Sequence, residues 1–441
     1  MFELSISGGC IVNKRFSHVE EPRFLSLLEV VRAADLSFIH LEGAICDDGE
    51  PEVFAAAEAG WTWRRMPDFF AEELRWAGYD FVSHASNHAM DYMYGGLYRT
   101  WEVLKEARMP FAGTGRSLAE ARRPAFVDCS KRRLALVSAS PSTPDWARAA
   151  DPIREDGPRP GMNQIRVIYS LDKERLRAAR DLYGSMGWWI TDVGDGFMVN
   201  PAGLHNTITR FTLADDGGSR QIADPADIAA NLDAIRFAKT QSDFVMFHLH
   251  NHEWNASKDL SQPPDFVSEF AHAAIDAGAD LFLAEGAHSL LRGIEIYKGK
   301  PIFYDPGDLF KDGNSKTRPL TEYYWMRGTN LKTGKVEIIT ADSMVHRDRQ
   351  KVPVPTFPTG GYNTGRVLAV IVPVCRFDDN NNVTEIRIHP AKHMKGSALI
   401  NGLPGMVGGN EAREVIDYLA ELSAPFDTEI VFEDGVGVIR I

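Results

Sequence analysis

The chain has 441 residues, 44% hydrophobic and 25% charged, a globular composition that excludes a fibrous or disordered protein. Its formal net charge of −13 speaks against a surface built to grip nucleic acid or anionic lipid, which needs a basic face. The length admits one large domain with insertions, or two domains.

The N-terminus runs straight into an alternating, strand-like segment, Leu4–Gly8, with no basic stretch leading into an apolar one, so no signal peptide is expected. Apolar spacing then predicts a helix over Arg23–Ala34 and a strand over Leu36–Leu41. Pro67–Ala77 reads as a helix, Asp80–His84 as a strand, and Gly95–Glu106 as a helix stopped before Pro110. Arg133–Ser138 is again a strand. The pattern breaks over 141–225, which reads as an insertion: Pro141–Gly161 has loop chemistry, and a helix is expected over Leu171–Tyr183. Alternation resumes with helix Asp224–Gln241, strand Phe244–His248, helix Asp265–Ala277 and strand Asp280–Ala284. Strand Pro301–Tyr304 then enters the turn Asp305-Pro306-Gly307-Asp308. Strand–helix alternation implies an α/β fold with helices packed on sheet faces. Residues 1–320 are therefore expected as the catalytic domain. Residues 321–441 are expected as a C-terminal α+β extension packed on that core, with strands Val367–Pro373 and Val383–Pro390, a helix over Asn410–Leu422 and closing strands Glu429–Phe432 and Val436–Ile441.

Cys10, Cys46, Cys129 and Cys375 form no CxxC pair, so reduced, partly buried thiols in a reducing compartment are expected rather than a thiolate zinc site. No run approaches eighteen apolar residues, so no membrane span is expected, and a cytoplasmic location follows. The oligomeric state, monomer or homo-oligomer, stays open.

Four expected strand ends deliver metal-ligand chemistry. FHLHNHEW, Phe247 to Trp254, places His248, His250 and His252 at alternate positions, which share one face as far as the strand extends, followed by Glu253. Imidazole with carboxylate suits zinc, manganese or iron. One or two of the three histidines are expected to touch metal, the others to hold substrate or orient ligands. SHASNHAMD, Ser83 to Asp91, carries Asn87, His88 and Asp91 just past a strand, where open α/β sheets place their ligands. Taken alone, Asn87 is equally a helix cap. AEGAHSLLRGIE, Ala284 to Glu295, puts Glu285 and His288 on a turn, and HLEGAI, His40 to Ile45, puts Glu42 there. Any one is modest; together they describe one rim of a sheet. The aromatics Trp61, Trp63, Tyr92, Tyr94 and Trp254 either line a substrate pocket or belong to the core.

The run DFVSHASNHAMDYMYGGLYRTWEVLKEARMPFAGTGRSLAEARRPAFV resembles the signature block of the CapA-type capsule and poly-γ-glutamate synthesis proteins. AAIDAGADLFLAEGAHSLLRGIEIYKGKPIFYDPGDLF does so too, and SAPFDTEIVFEDGVGVIRI is similar to the tail of a subgroup without a membrane anchor. The resemblance implies a metallophosphatase-like fold, a four-layer β-sandwich flanked by helices, and a divalent-metal site of one or two ions. By position it implies metal ligands at Glu42, Asn87, His88, His250 and His288, with Asp91 following the Asn-His pair. The departures are as informative. Gly9 stands where the family has a metal-binding aspartate, His40 stands for an asparagine, Glu285 for a histidine, and Asp308 for an asparagine. Glu285 is then expected either as a replacement ligand or as a base.

The expected function is a metal-dependent hydrolase of an amide or related carbonyl bond in a small-molecule or γ-glutamyl, peptide-like substrate, using zinc, manganese or iron. His248, His252, Glu253 and Asp91 are its candidates for acid–base work. Two alternatives stand beside it. One is a metal-dependent epimerase, since a lasso-peptide epimerase is similar to this family. The other is a non-catalytic accessory protein of capsule assembly.

Overall fold

Apolar runs too continuous for a half-exposed sheet, such as LSFIHL at 36–41 and FVMF at 244–247, imply strands covered on both faces. A computed structural model describes residues 1–47, 49–50, 52–57, 63–152, 155–202, 208–215, 217–254, 260–288, 290–311 and 369–441, and in it both runs are strands of two stacked sheets. The first sheet runs Val431–Glu433, Val436–Arg440, Val383–His393, Val370–Phe377, Phe2–Ile11, Leu36–Leu41, Phe81–Ser83, Phe111–Ala112. The second runs Arg292–Tyr297, Lys300–Asp305, Leu281–Glu285, Phe244–His250, Arg133–Ala139, Ala125–Asp128.

The period of two along each strand sorts side chains between layers. Leu4, Ile6, Phe38 and Phe81 of the first sheet meet Leu134, Leu136, Phe244 and Met246 of the second in the central core. The alternate residues Ile39, Leu41 and Val82 face outward onto helices Pro22–Ala33 and Phe70–Ala77, through Leu27, Leu28 and Leu74. Val137, Val245 and Phe247 do the same on the other side, against helices Pro225–Gln241 and Asp265–Asp276. The result is helix, sheet, sheet, helix: the four-layer α/β sandwich that the resemblance implies.

The C-terminal region, expected as an extension packed on the core, supplies strands to the core sheet itself. Val370–Phe377 pairs antiparallel with Phe2–Ile11, with Leu4 opposite Cys375. Helix Gly409–Ser423 adds Val415, Ile416 and Leu419 to the central core. The expected boundary near residue 320, and the first residues of the strand expected from Val367, lie outside the described residues. The excursion after residue 141 holds a small sheet of its own, with strands Val167–Leu171, Trp189–Val193, Gly196–Asn200, Thr209–Leu213 and Arg220–Ala223 around Phe197, Val199 and Phe211. Its helix is Lys173–Ser185, two residues later than expected, because the Asp172 side chain caps it by accepting from the Arg175 N–H. Among the described residues no helix is long and apolar enough to cross a membrane.

What matters for the site is where strands stop. Phe244–His250 and Leu281–Glu285 are parallel, with His250 opposite Glu285. Phe2–Ile11 and Leu36–Leu41 are parallel, with Gly9 opposite His40 after an irregularity that begins at Ile6. Both sheets thus end at one rim.

Candidate metal centre

The rim gathers side chains from both sheets. His40, Glu42, His250, Glu285 and Asp308 are at most 1% exposed. The rings of His40 and His250 stack with centroids 4.7 Å apart across the sandwich, and His252, just past the strand end, lies 4.6 Å from His250 and 4.9 Å from His288. Two loops bring in the last members. His288 takes φ +61°, a left-handed conformation that side chains avoid unless their surroundings enforce it, and one that recurs at functional sites. The enforcement is visible. One Asp305 carboxylate accepts from the Ala287 N–H at 2.6 Å and from the Gly307 N–H at 2.8 Å, tying the loops together. Asp308 N–H donates to the His288 carbonyl at 3.0 Å. Gly286, at φ +121°, has no room for a Cβ, which would stand 2.5 Å from the Asn251 carbonyl oxygen.

At this rim three sets of ligand-type atoms each lie within 4.8 Å of one another: Glu42, His250 and His252; Glu42, His288 and Asp308; and His40, His250 and Glu285. Asn87 joins the first, its Oδ1 facing His250 Nε2 at 2.9 Å. Two such atoms at that distance share either a proton or a cation. On its other nitrogen, His250 Nδ1 meets Glu285 Oε1 at 2.6 Å, the arrangement in which a carboxylate orients an imidazole toward a metal. Glu285 Oε1 also lies 3.3 Å from His248 Nε2 and 3.6 Å from His40 Nε2.

The donors fit a divalent cation on two grounds. Both oxygens of Glu42, both ring nitrogens of His40, Glu285 Oε2 and Asp308 Oδ1 are buried without a hydrogen-bond partner. Each such atom costs about 1–3 kcal/mol, more when charged, so a fold retains a cluster of them only for a ligand. The mixture of imidazole, carboxylate and amide oxygen is that of zinc, manganese or iron rather than of calcium or magnesium, which prefer oxygen alone.

The electrostatics agree. Burial, reinforced by Asp308, pushes the Glu42 carboxyl up to about 7. Burial disfavours charge on His250, but Glu285 outweighs it and raises this imidazole to about 9. Burial also opposes ionisation of Asp308, yet Lys311 and His288 hold it well below the usual carboxylate range. Burial keeps His252 and His88 low, so both rings are neutral, the form that ligates metal or accepts a proton.

The sequence-derived candidates separate into groups. Glu42, Asn87, His250, His252 and His288 converge on the centre. His88 lies beside it, near enough for His250, His252 and His288 to disfavour its charge, but joins none of the three sets. Its Nδ1 lies 2.6 Å from Asp91 Oδ2, which also accepts from the Arg64 N–H at 2.7 Å, so Asp91 sits behind His88. His248 is fully buried inside the sandwich, with Nδ1 on Ser138 Oγ at 3.1 Å and its ring against Phe38. Glu253 has its oxygens taken by Gln221 Nε2 at 2.8 Å and Ser142 Oγ at 3.4 Å. Of the aromatics, Trp63 and Tyr92 pack together in a small buried cluster, Tyr94 packs beside Trp101, Trp254 packs on Leu260 and Ala287, and Trp61 lies outside the described residues. Sequence reasoning did not name His40 or Asp308 as members of the centre. Both follow the rule that found the others, a ligand-type residue at a strand end.

A family model described as bacterial capsule synthesis protein PGA_cap matches residues 12–313. The chain is 31% identical over 461 residues to protein y4sH of Sinorhizobium fredii, covering 100% of this chain and 93% of that one. It is 28% identical over 285 residues to a Mycobacterium tuberculosis protein named as a polyglutamine synthesis accessory protein, covering 64% of this chain and 56% of that one. It is 33% identical over 121 residues to the PGA biosynthesis protein CapA of Bacillus subtilis, covering 27% of this chain and 30% of that one. Among solved structures, a phosphatase from Mycoplasma pneumoniae superposes with a TM-score of 0.38 at 9% identity, over 88% of this chain and 92% of that one. The family-model match and the full-length relative establish that this chain belongs to the PGA_cap family of bacterial capsule synthesis proteins.

Proposed function

We propose that the chain is a metal-dependent hydrolase of amide or related carbonyl bonds, acting on a small-molecule or γ-glutamyl, peptide-like substrate. The observation that carries this reading is the set of buried, unpartnered ligand atoms around Glu42. Glu42, Asn87, His250 and His252 would hold a zinc, manganese or iron ion. Such an ion supplies polarisation of a carbonyl oxygen and lowers the pKa of bound water toward about 7.

The chain's own groups do the rest. Glu285 on Nδ1 fixes the ring of His250. Asp91 on Nδ1 fixes His88 and leaves Nε2 to take or give a proton at the rim. Gln221 and Ser142 hold Glu253 beside His252, and Ser142 Oγ accepts from the His252 N–H at 2.7 Å. Arg292, the arginine nearest the motifs in sequence, is 2% exposed and donates to the Leu260 carbonyl, so the preference for a carbonyl over a phosphoryl substrate rests on the resemblance. The substrate class follows the resemblance to poly-γ-glutamate synthesis proteins, and relatives named for polyglutamine synthesis and PGA biosynthesis support it.

The test is metal-depleted protein reconstituted with Zn²⁺, Mn²⁺ or Fe²⁺ and offered γ-glutamyl peptides in ¹⁸O-labelled water and, separately, in deuterated water. Metal-dependent cleavage with ¹⁸O in the product carboxylate is expected. Deuterium entering carbon without cleavage would replace the hydrolase by a proton-transfer enzyme, and failure to bind any ion would leave a non-catalytic accessory protein. A second expectation concerns Asp91→Asn, which keeps the shape and replaces by an amide the carboxyl group that meets His88 Nδ1. Its kcat is expected to fall about 10²-fold, while metal content and KM hold; a loss of metal instead would make Asp91 a support for the ligands.

A further inference from the structure

Residue 9 is glycine for reasons of space. Its φ lies outside the left-handed region, so the backbone does not ask for glycine there. A Cβ at this position would stand 2.7 Å from Asp308 Oδ1, closer than real Cβ atoms come, and 3.0 Å from Glu42 Oε2, tighter than most real Cβ contacts. The Asp308 carboxylate therefore occupies the room that a side chain on residue 9 would need.

That carboxylate is held from one side only. Its Oδ2 meets His288 Nδ1 at 3.0 Å and Lys311 Nζ at 3.1 Å. Its Oδ1 is buried with no hydrogen-bond partner and points into the space shared with Glu42, whose two oxygens are likewise unpartnered. Two carboxylates facing one another in a buried site repel unless a cation or a proton lies between them. Glu42, His288 and Asp308 present ligand-type atoms within 4.8 Å of one another, and so do Glu42, His250 and His252. Glu42 is the residue the two sets share.

We propose that Glu42, His288 and Asp308 hold a second cation beside the one assigned above, and that residue 9 is glycine to admit the Asp308 carboxylate. The inference rests on the metal-centre reading of the preceding section and adds a ligand to it. The carboxylate expected on the first strand is supplied instead by the loop after Lys300–Asp305, so the departures at positions 9 and 308 are two halves of one exchange. The site is rebuilt rather than degraded.

The experiment is a titration of metal-depleted full-length protein with Mn²⁺, read by calorimetry, by metal content and by electron paramagnetic resonance. Wild-type protein is expected to bind two ions per chain and to show exchange coupling between neighbouring Mn²⁺ ions. Asp308→Asn, nearly the same shape, is expected to keep one ion and lose the coupling. Gly9→Ala is expected to weaken the second ion at least tenfold and leave the first unchanged. It keeps the inference testable should Asp308→Asn fail to give a cooperative thermal melt. Asp308→Asn binding two coupled ions like wild type overturns the inference, as does Gly9→Ala with both affinities unchanged. A wild-type chain that binds one ion, unaffected by Asp308→Asn, also overturns it while leaving the proposed function standing; a wild-type chain that binds none overturns both.

Discussion

Glu42→Gln is expected to abolish divalent-ion binding while making the metal-free protein more stable. Glu42 is fully buried, both of its oxygens lack partners, and it belongs to two of the three rim sets of ligand atoms. Removing its charge takes a ligand from each of these two sets, so Mn²⁺ affinity should fall by more than about 10²-fold. The stability effect has the opposite sign. Burial and the neighbouring Asp308 raise this carboxyl from 4.5 to about 7 in the folded chain. Between those values the folded state binds the extra proton, so the contribution of Glu42 to stability falls as pH rises through the window and is lowest above pH 7. The shift corresponds to about 3 kcal/mol at pH 8 and to almost nothing at pH 4. The variant should therefore melt higher than metal-free wild type at pH 8, with the gap closing toward pH 4. Added Mn²⁺ should raise only the wild-type melting temperature, because only that folded state binds it. Calorimetric scans at both pH values, with and without Mn²⁺, check all three statements. A variant that binds Mn²⁺ like wild type would remove Glu42 from the centre.

Such a trade-off is what separates this rim from the rest of the sandwich, and it bears on how much of the protein is legible in its sequence. The layers were legible because period two and period 3.6 are local. Leu36–Leu41 and the helix Pro225–Gln241 announce themselves within a dozen residues. The pairing of Phe2–Ile11 with Val370–Phe377 was not, because neighbours at opposite ends of the chain leave no mark on either segment. The small inserted sheet escaped for another reason: strands such as WITDV, largely exposed, and TRFTL, partly so, have two or three apolar residues each, too few to distinguish from loop. At the rim, strand ends picked out Glu42, Asn87, His250 and His288, all of which the structure brings together. Spacing could not say which nitrogen of His250 faces Glu285 and which faces Asn87. Nor could it show that Gly9 and Asp308 occupy one volume, or that His40 and Glu285, two further departures, lie 3.6 Å apart. Read one at a time the departures suggested a failing site; in space they fall into adjacent pairs.

Asp227→Asn is expected to destabilise the fold strongly although it lies away from the rim. Asp227 is 2% exposed in the first turn of helix Pro225–Gln241, and its carboxylate gathers three arginines from separate segments. Arg122 Nη2 and Arg166 Nη2 each donate to Oδ1 at 3.1 Å, Arg148 Nη2 donates to it at 3.4 Å, and Arg166 Nε donates to Oδ2 at 2.7 Å. The Asp227 carbonyl also accepts from Asn231, which accepts from Asn163, which donates to the Ser138 carbonyl on the strand beside Phe244–His250. The inserted sheet is thus tied to the strand that carries the rim histidines through Asp227, with its buried neighbour Asp224 also reaching Arg166 at 3.4 Å and Arg210 at 3.5 Å. Neutralising Asp227 leaves three cations facing one another. The expected loss is about 3 kcal/mol, the low end for breaking a buried ion pair, because the arginine side chains keep 19–41% of their surface in water. Burial works against ionisation of Asp227, but Arg166 and Arg148 hold its pKa below 3.8 in the folded chain. Its contribution is therefore complete above about pH 4 and lost as pH falls through the folded value. Urea denaturation should give a constant deficit for Asp227→Asn from pH 5 to 8, narrowing only below about pH 4. A deficit that varies across the neutral range would assign the effect to another group.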